Sequence, residues 1–164
     1  MNNTELEHLT RDATCHILRT TKGIVAMVHP DFVCCDADKR ELTFAFSTTD
    51  WEMSPAGLLH GGILSTMFDI SLGALISPYA GGFAPTIQLT VTFLAPVPLG
   101  ETLHIHAKIV SLGKSVIHAE ASAVVQGTGK LAATGKGIYS VKIWKSKLEE
   151  AVSFPEPSAR FTAV

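Results

Sequence analysis

Between residues 53 and 100 the chain carries one formally charged side chain, Asp69. It interrupts an otherwise uncharged run, Gly61-Gly62-Ile63-Leu64-Ser65-Thr66-Met67-Phe68-Asp69-Ile70-Ser71-Leu72, that continues apolar to Ile76. A helix that is apolar all round belongs in a core, so this run reads as a helix buried on all sides. A carboxylate there costs several kcal/mol unless something pairs with it or uses it. The bland reading is an Asp satisfied by nearby hydroxyls such as Ser65 or Thr66. The sharper reading, and the one preferred here, is a catalytic carboxylate, because buried carboxylates are rare and cluster at functional sites.

The run opens on His60-Gly61-Gly62. At a helix N-terminus the unpaired N–H groups and the dipole favour negative charge. Glycine also lets a ligand approach the backbone closely, so the Gly61 or Gly62 amide is a candidate anion donor. A tight loop-to-helix turn would use the same residues, and the two roles are compatible. His60 reads more simply as a hydrogen-bonded histidine that shapes the loop than as a general base.

The elements that must position these groups are legible in part. Thr4 and Glu7 suggest a capping box, followed by Leu6, Leu9, Ala13 and Ile17 at helical spacing. A helix over residues 4–20, ended by Gly23, follows from that. Residues 25–35 could hold a strand, with Asp36-Ala37-Asp38-Lys39 as the turn after it. Residues 41–47 alternate Leu42, Phe44 and Phe46 with Thr43, Ala45 and Ser47, a half-buried strand. Residues 49–59 read as an irregular loop. The apolar helix should then stop at Pro78 and exit through Gly81-Gly82. Strand patterns follow at 86–94, at 101–111 and 115–125 as a hairpin about Gly113, and at 130–143. One face of each is apolar. An antiparallel sheet wrapped around one long helix, an α+β fold, satisfies all of them. The expected organisation is a single domain over 1–144 with an N-terminal helix, and a tail over 145–164.

Composition narrows the function classes. A hydrophobic fraction of 46% against 17% charged is apolar for a soluble monomer and suggests a covered subunit interface. The net charge is -2 and no basic block exists, which argues against a nucleic-acid partner. The apolar helix candidate over 63–76 is too short for a membrane span and contains Asp69, and the acidic start lacks a signal core. Cys15, Cys34 and Cys35 form no disulfide framework and no zinc spacing, and fit a reducing cytoplasm. His104, His106 and His118 share one strand face and read as a solvent or interface row, with no metal site. Leu112-Gly113-Lys114-Ser115 lacks the earlier glycine of a phosphate loop, since Lys108 holds that place.

The pattern Gly57, His60-Gly61-Gly62, Asp69, Thr86, Phe93, Pro96 and Gly100 resembles the hotdog-fold acyl-CoA thioesterases of the phenylacetate-pathway (PaaI-like) type. The similarity covers residues 40–143. It implies a hotdog fold and hydrolysis of an acyl-CoA, with coenzyme A as part of the substrate and no separate cofactor. It implies Asp69 as the catalytic acid, Thr86 as a site hydroxyl, His60 as a positioning residue, and Lys114, after the hairpin glycine, as a contact for coenzyme A phosphates. The family places Asn six residues before the histidine, where it helps hold the attacking water or the carboxylate. Ser54 stands there in this chain.

Thioester hydrolysis needs a carboxylate to attack or to activate water, donors for the oxyanion, and a slot for the thiol arm. Asp69 supplies the first as nucleophile or general base, and the Gly61 or Gly62 amide supplies the second. Eight residues of helix separate Gly61 from Asp69 by about 12 Å along the axis and about 80° around it. One helix can hardly place both at one carbon, whereas two helices related by a two-fold axis can. The expectation is a homodimer or dimer of dimers with shared sites, as the resemblance also implies. Two competing readings are a non-catalytic acyl-CoA-binding hotdog module and a hotdog hydratase or dehydratase. The second needs an Asp five residues before its histidine, where this chain has Pro55.

Overall fold

The computed structural model describes residues 1–20 and 22–141, without the side chain of Ile17. In chain order these form α1 (Asn3–Thr20), α2 (Ile24–Val28), β1 (Asp31–Asp36), β2 (Glu41–Ser47), a 3-10 turn (Asp50–Glu52), α3 (Gly61–Ala80), β3 (Thr86–Phe93), β4 (Thr102–Leu112), β5 (Val116–Val125) and β6 (Leu131–Ser140). The end of the last strand beyond residue 141 and the tail over 145–164 lie outside the described residues.

The six strands form one antiparallel sheet in the order β1-β2-β4-β5-β6-β3. The chain leaves β2, crosses the sheet as α3, and returns as β3 at the far edge beside β6. α3 touches every strand from β2 to β6. This is the sheet wrapped on a long helix that the strand patterning and the resemblance both predict. Period-2 alternation supplies the apolar inner face: Leu42, Phe44 and Phe46 of β2 and Leu103 and Ile105 of β4 are buried to within 1% exposure. Small residues on β5 bring the hairpin pair close to the helix, with Ile105 opposite Ala123, Ala107 opposite Ala121 and Ile109 opposite Ala119.

The helix and sheet meet most tightly at β6. A Cβ on Gly135 would lie 2.5 Å from Phe68 Cδ1, and one on Gly137 would lie 3.2 Å from Leu72 Cδ1. The two glycines therefore form the groove into which α3 lowers Phe68 and Leu72, both fully buried. Burying each such side chain contributes about 1.5–3 kcal/mol.

Several sequence expectations are corrected. α1 is capped by Asn2, whose Oδ1 accepts from Glu5 N–H at 2.9 Å, while Glu7 pairs with Arg11 instead of closing a box with Thr4. Its buried face runs through Leu6, Thr10 and Thr14; Leu9 is 44% exposed. Ile17 of the expected face lies outside the described side chains. Gly23 is the N-cap of the short α2, which occupies the start of the expected strand over 25–35. Pro78 does not stop α3. In the last turn it removes one N–H bond, and the helix runs on to Ala80, where Gly81 at φ 74 reaches back to Ser77 O. α3 is also not buried on all sides: Leu64, Met67, Phe68, Ser71, Leu72, Leu75, Ile76 and Ala80 are buried, while Asp69, Ile70, Gly73 and Ala74 are half-exposed. At 20 residues it is long and apolar enough to cross a membrane by length and composition, so shortness is no argument against a span. Its seat across five strands makes it the core helix of this sheet.

Gly135→Ala should destabilise by about 1–3 kcal/mol through overpacking against Phe68. That corresponds to a fall in Tm of roughly 3–10 °C for a domain of this size, measured by thermal unfolding. An unchanged Tm would mean that α3 stands farther from β6 than described.

Candidate active site

α3 puts Asp69 on its half-exposed face, toward the β3 and β6 ends. There Thr86 Oγ1 donates to Asp69 Oδ1 at 2.7 Å and Tyr139 OH donates to the same oxygen at 3.0 Å. The two donors are brought together by sheet register, since Thr86 lies opposite Tyr139 in the β3–β6 pair. Among the described residues nothing donates to Asp69 Oδ2, so one oxygen is held and the other is available. Ser65 and Thr66, the neighbours a purely structural Asp could have used, turn back to Gly61 O and Gly62 O.

Tyr139 is buried to 1% exposure. Burial, and after it the Asp69 charge, push its phenol far above the ordinary tyrosine range. It therefore acts as a fixed donor. The sequence reading missed it: Tyr139 is 70 residues from Asp69, and nothing local marks it.

The second cluster sits at the N-terminus of α3. His60 is the N-cap, and its Nδ1 accepts from Gly62 N–H at 3.0 Å. That nitrogen carries no proton, which fits the loop-shaping reading of His60. Of the two candidate amides, Gly62 is thus already committed, and Gly61 N–H has no partner among the described residues. The Phe93 ring lies over Gly61, 3.1 Å from where a Cβ would stand, so a larger residue there would push the ring aside. Ser54 lies in the preceding loop, where its backbone pairs with Leu58 O and Gly57 N–H. The loop is pinned by buried Glu52, whose Oε2 takes Thr49 N–H at 2.7 Å and whose carbonyl takes His60 N–H. Burial raises the Glu52 carboxyl above the ordinary range.

The structure does not bring the two clusters together within one chain. Phe93 covers Gly61 and Thr86 holds Asp69, at opposite ends of β3, and eight residues of helix keep Gly61 and Asp69 about 12 Å apart along α3. Lys114 is exposed in the β4–β5 turn. Val141 N–H bonds Ser115 O and Ser140 N–H bonds Pro85 O, which puts that turn at the Thr86 end of the sheet. His104, His106 and His118 lie along the outer face, with His106 opposite Ser122 and His118 opposite Ser111. Thr43 Oγ1 and His106 Nδ1 are 2.9 Å apart, and burial, then His104, lowers the His106 ring below its usual range.

The raised Tyr139 phenol carries a pH dependence. Above about pH 10 an unfolded tyrosine ionises, while the native chain keeps the proton. The unfolded state then binds fewer protons, so stability is full below that pH and falls as pH rises above it. In a Tyr79→Phe background, ultraviolet titration should show no phenolate until the fold is lost. A full equivalent of phenolate near pH 10 in folded protein would contradict the buried Asp69–Tyr139 bond.

Residues 56–132 match the family model described as the thioesterase superfamily. Acyl-coenzyme A thioesterase 13 of Mus musculus is 35% identical over 81 residues, which are 49% of this chain and 58% of that relative. The chain thus spans little more than half the length of such relatives. Among solved structures, the E. coli PaaI protein from the phenylacetic acid degradation operon superposes with a TM-score of 0.69 at 20% identity, covering 82% of this chain and 94% of that one. The smu.793 protein of Streptococcus mutans UA159, solved bound to acetyl CoA, superposes with a TM-score of 0.62 at 24% identity, covering 68% and 87%. The matched segment carries His60, Gly61, Asp69 and Thr86, while Tyr139 lies beyond it. On these findings the chain is a hotdog-fold protein whose residues 56–132 match the thioesterase superfamily.

Proposed function

We propose that the protein is an acyl-CoA thioesterase in which Asp69 acts on the thioester carbonyl. The observation that carries this reading is the asymmetric carboxylate: Oδ1 is held by Thr86 and Tyr139, and Oδ2 has no donor among the described residues. A non-catalytic binder gains nothing from a half-buried charge so arranged. Oδ2 either attacks the thioester carbon, releasing the coenzyme A thiolate and leaving an acyl-aspartyl anhydride for water to cleave, or takes a proton from a water that attacks directly. Either path yields the acid and the thiol with no separate cofactor. The Gly61 N–H receives the developing oxyanion. The match to acyl-CoA thioesterases and the acetyl-CoA-bound structural neighbour support the substrate class.

The site is completed by a second copy. β3 ends the strand order, and its Ile87 and Phe93, with the following Leu94, are 53–56% exposed. An exposed apolar edge strand is a template for pairing with another chain. An antiparallel homodimer, alone or as a dimer of dimers, would bring Gly61 of one subunit to Asp69 of its partner. In this reading Ser54, in the loop before Gly61, holds the attacking water or the carboxylate, and the exposed Lys114 meets coenzyme A phosphates. The free thiols Cys15, Cys34 and Cys35 fit a cytoplasmic setting.

Asp69→Asn should lower thioesterase turnover by about 10²- to 10⁴-fold, the usual scale for a positioned acid or base, with Tm preserved. Thiol release from a panel of acyl-CoAs reads it, and near-full turnover in a folded Asn variant would sink the mechanism. Mixing Asp69→Ala chains with chains carrying a bulky residue at Gly61 tests the shared site. Exchanged heterodimers should regain one good site; two inactive parents that exchange subunits and recover nothing would place both groups in one chain.

A further inference from the structure

A cavity of about 520 Å³ opens at Asp69, Thr86 and Tyr139 and extends between α1 and the second half of α3. Its volume falls within the range of ordinary small-molecule sites. Among the described residues that line it, Asp69 alone is charged. The polar groups at that end are engaged with one another, since Thr86 and Tyr139 both donate to Asp69. Farther in, the wall is mainly apolar and includes Leu9 of α1 and Ile70 and Ala74 of α3. Leu9 is 44% exposed, so apolar surface on this wall is left uncovered by the fold itself.

Gly73 lies on the same wall, one helical turn beyond Asp69. Residues four apart share a helix face. Glycine is a poor residue for a helix interior, and the fold gives no packing reason for this one. Gly135 and Gly137 make room for Phe68 and Leu72, whereas a Cβ on Gly73 would meet nothing within 4 Å beyond the nearby backbone of its own helix. Its φ is not positive either, so no backbone conformation calls for glycine. What the missing side chain leaves is open space in the cavity, next to the carboxylate.

We propose that Gly73 sets the length of acyl chain the site accepts, with an uncharged aliphatic chain running from Asp69 across Gly73 toward α1. This rests on the thioesterase reading, which puts the thioester carbonyl at Asp69. Four residues of helix set Gly73 about 6 Å along the axis from Asp69, so an acetyl group ends short of it and a longer chain crosses it. Such a chain gains by covering Ile70 and Leu9, roughly in proportion to the apolar area removed from water. A second carboxylate at the far end of the chain would be desolvated with no cation on the described wall to pair with. Gly73 is then a specificity residue without a part in bond breaking.

The test follows thiol release from acetyl-, butanoyl-, hexanoyl-, octanoyl- and decanoyl-CoA in the wild type, Gly73→Ala and Gly73→Leu. Leucine is a good helix former, and its side chain would fill the space over residue 73. Wild-type kcat/KM should rise about tenfold or more from acetyl to the best longer chain, a modest return for several methylenes in an apolar pocket. Gly73→Leu should remove that gain while leaving acetyl-CoA turnover near wild type and Tm unchanged or raised, and Gly73→Ala should fall between. Thermal stabilisation by the neutral amides from acetamide to decanamide reads the same ranking without hydrolysis or coenzyme A. A chain-length ranking in melting that Gly73→Leu abolishes, with no thiol release from any acyl-CoA, would uphold the cavity assignment and overturn the thioesterase reading. Equal losses at every chain length, acetyl included, or a marked fall in Tm for both variants, would mean that Gly73 serves the packing of α3 or of a second subunit, and would overturn the inference. A long-chain preference that Gly73→Leu leaves intact in both assays, or wild-type turnover confined to acetyl-CoA, would overturn it too.

Discussion

The structure turns on one half-buried carboxylate and the two hydroxyls that hold it. Thr86 and Tyr139 come from different strands and reach Asp69 from the sheet side of α3. Hydrogen bonds to a charged acceptor are about twice as strong as neutral ones. Both fall on Oδ1, which fixes the carboxyl orientation, and among the described residues none donates to Oδ2. The arrangement demands that β3 pair with β6 in a register that sets Thr86 opposite Tyr139, and that α3 lie close enough to β6 for Asp69 to reach both.

That closeness is set two layers away from the chemistry. Gly135 and Gly137 admit Phe68 and Leu72 into β6, one residue before and three after Asp69. A larger side chain on β6 would lift the helix and stretch the bonds to Asp69. The other end of α3 is set by a different device. Glu52 braces the loop, His60 caps the helix by taking Gly62 N–H, and Gly61 N–H, beneath Phe93, has no partner among the described residues. The helix therefore carries the proposed oxyanion amide at one end and Asp69 in its middle, kept apart by its own length, and the proposed second copy of the chain is the simplest way to unite them.

The residues that carry local signals were legible in the sequence. Asp69 stood out because no other charge surrounds it, the His60-Gly61-Gly62 run because glycines at a helix start leave its unpaired amides open to close approach, and β2, β4 and β5 because their alternation is clean. Tyr139 was not legible, since its role depends on the strand register that sets it opposite Thr86, far earlier in the chain. The face of α1 was misread for a related reason. Leu9 and Ala13 were taken for the buried stripe, whereas the structure buries Thr10 and Thr14 and leaves Leu9 on the cavity wall. A pattern that scores apolar residues as inward cannot anticipate two buried threonines. Pro78 misled in the same local way, because a proline in a last turn removes a bond without ending the helix.

The central claim is that Gly61 of one subunit and Asp69 of another meet at a single thioester. A crystal structure of the Asp69→Asn protein with an acyl-CoA bound measures this directly. The account predicts the thioester carbonyl oxygen within hydrogen-bond distance of a Gly61 N–H, with residue 69 of the other subunit beside the same carbonyl carbon and the acyl group in the cavity under α1. A thioester bound with residue 69 and Gly61 from one and the same chain, or bound away from both, would contradict it.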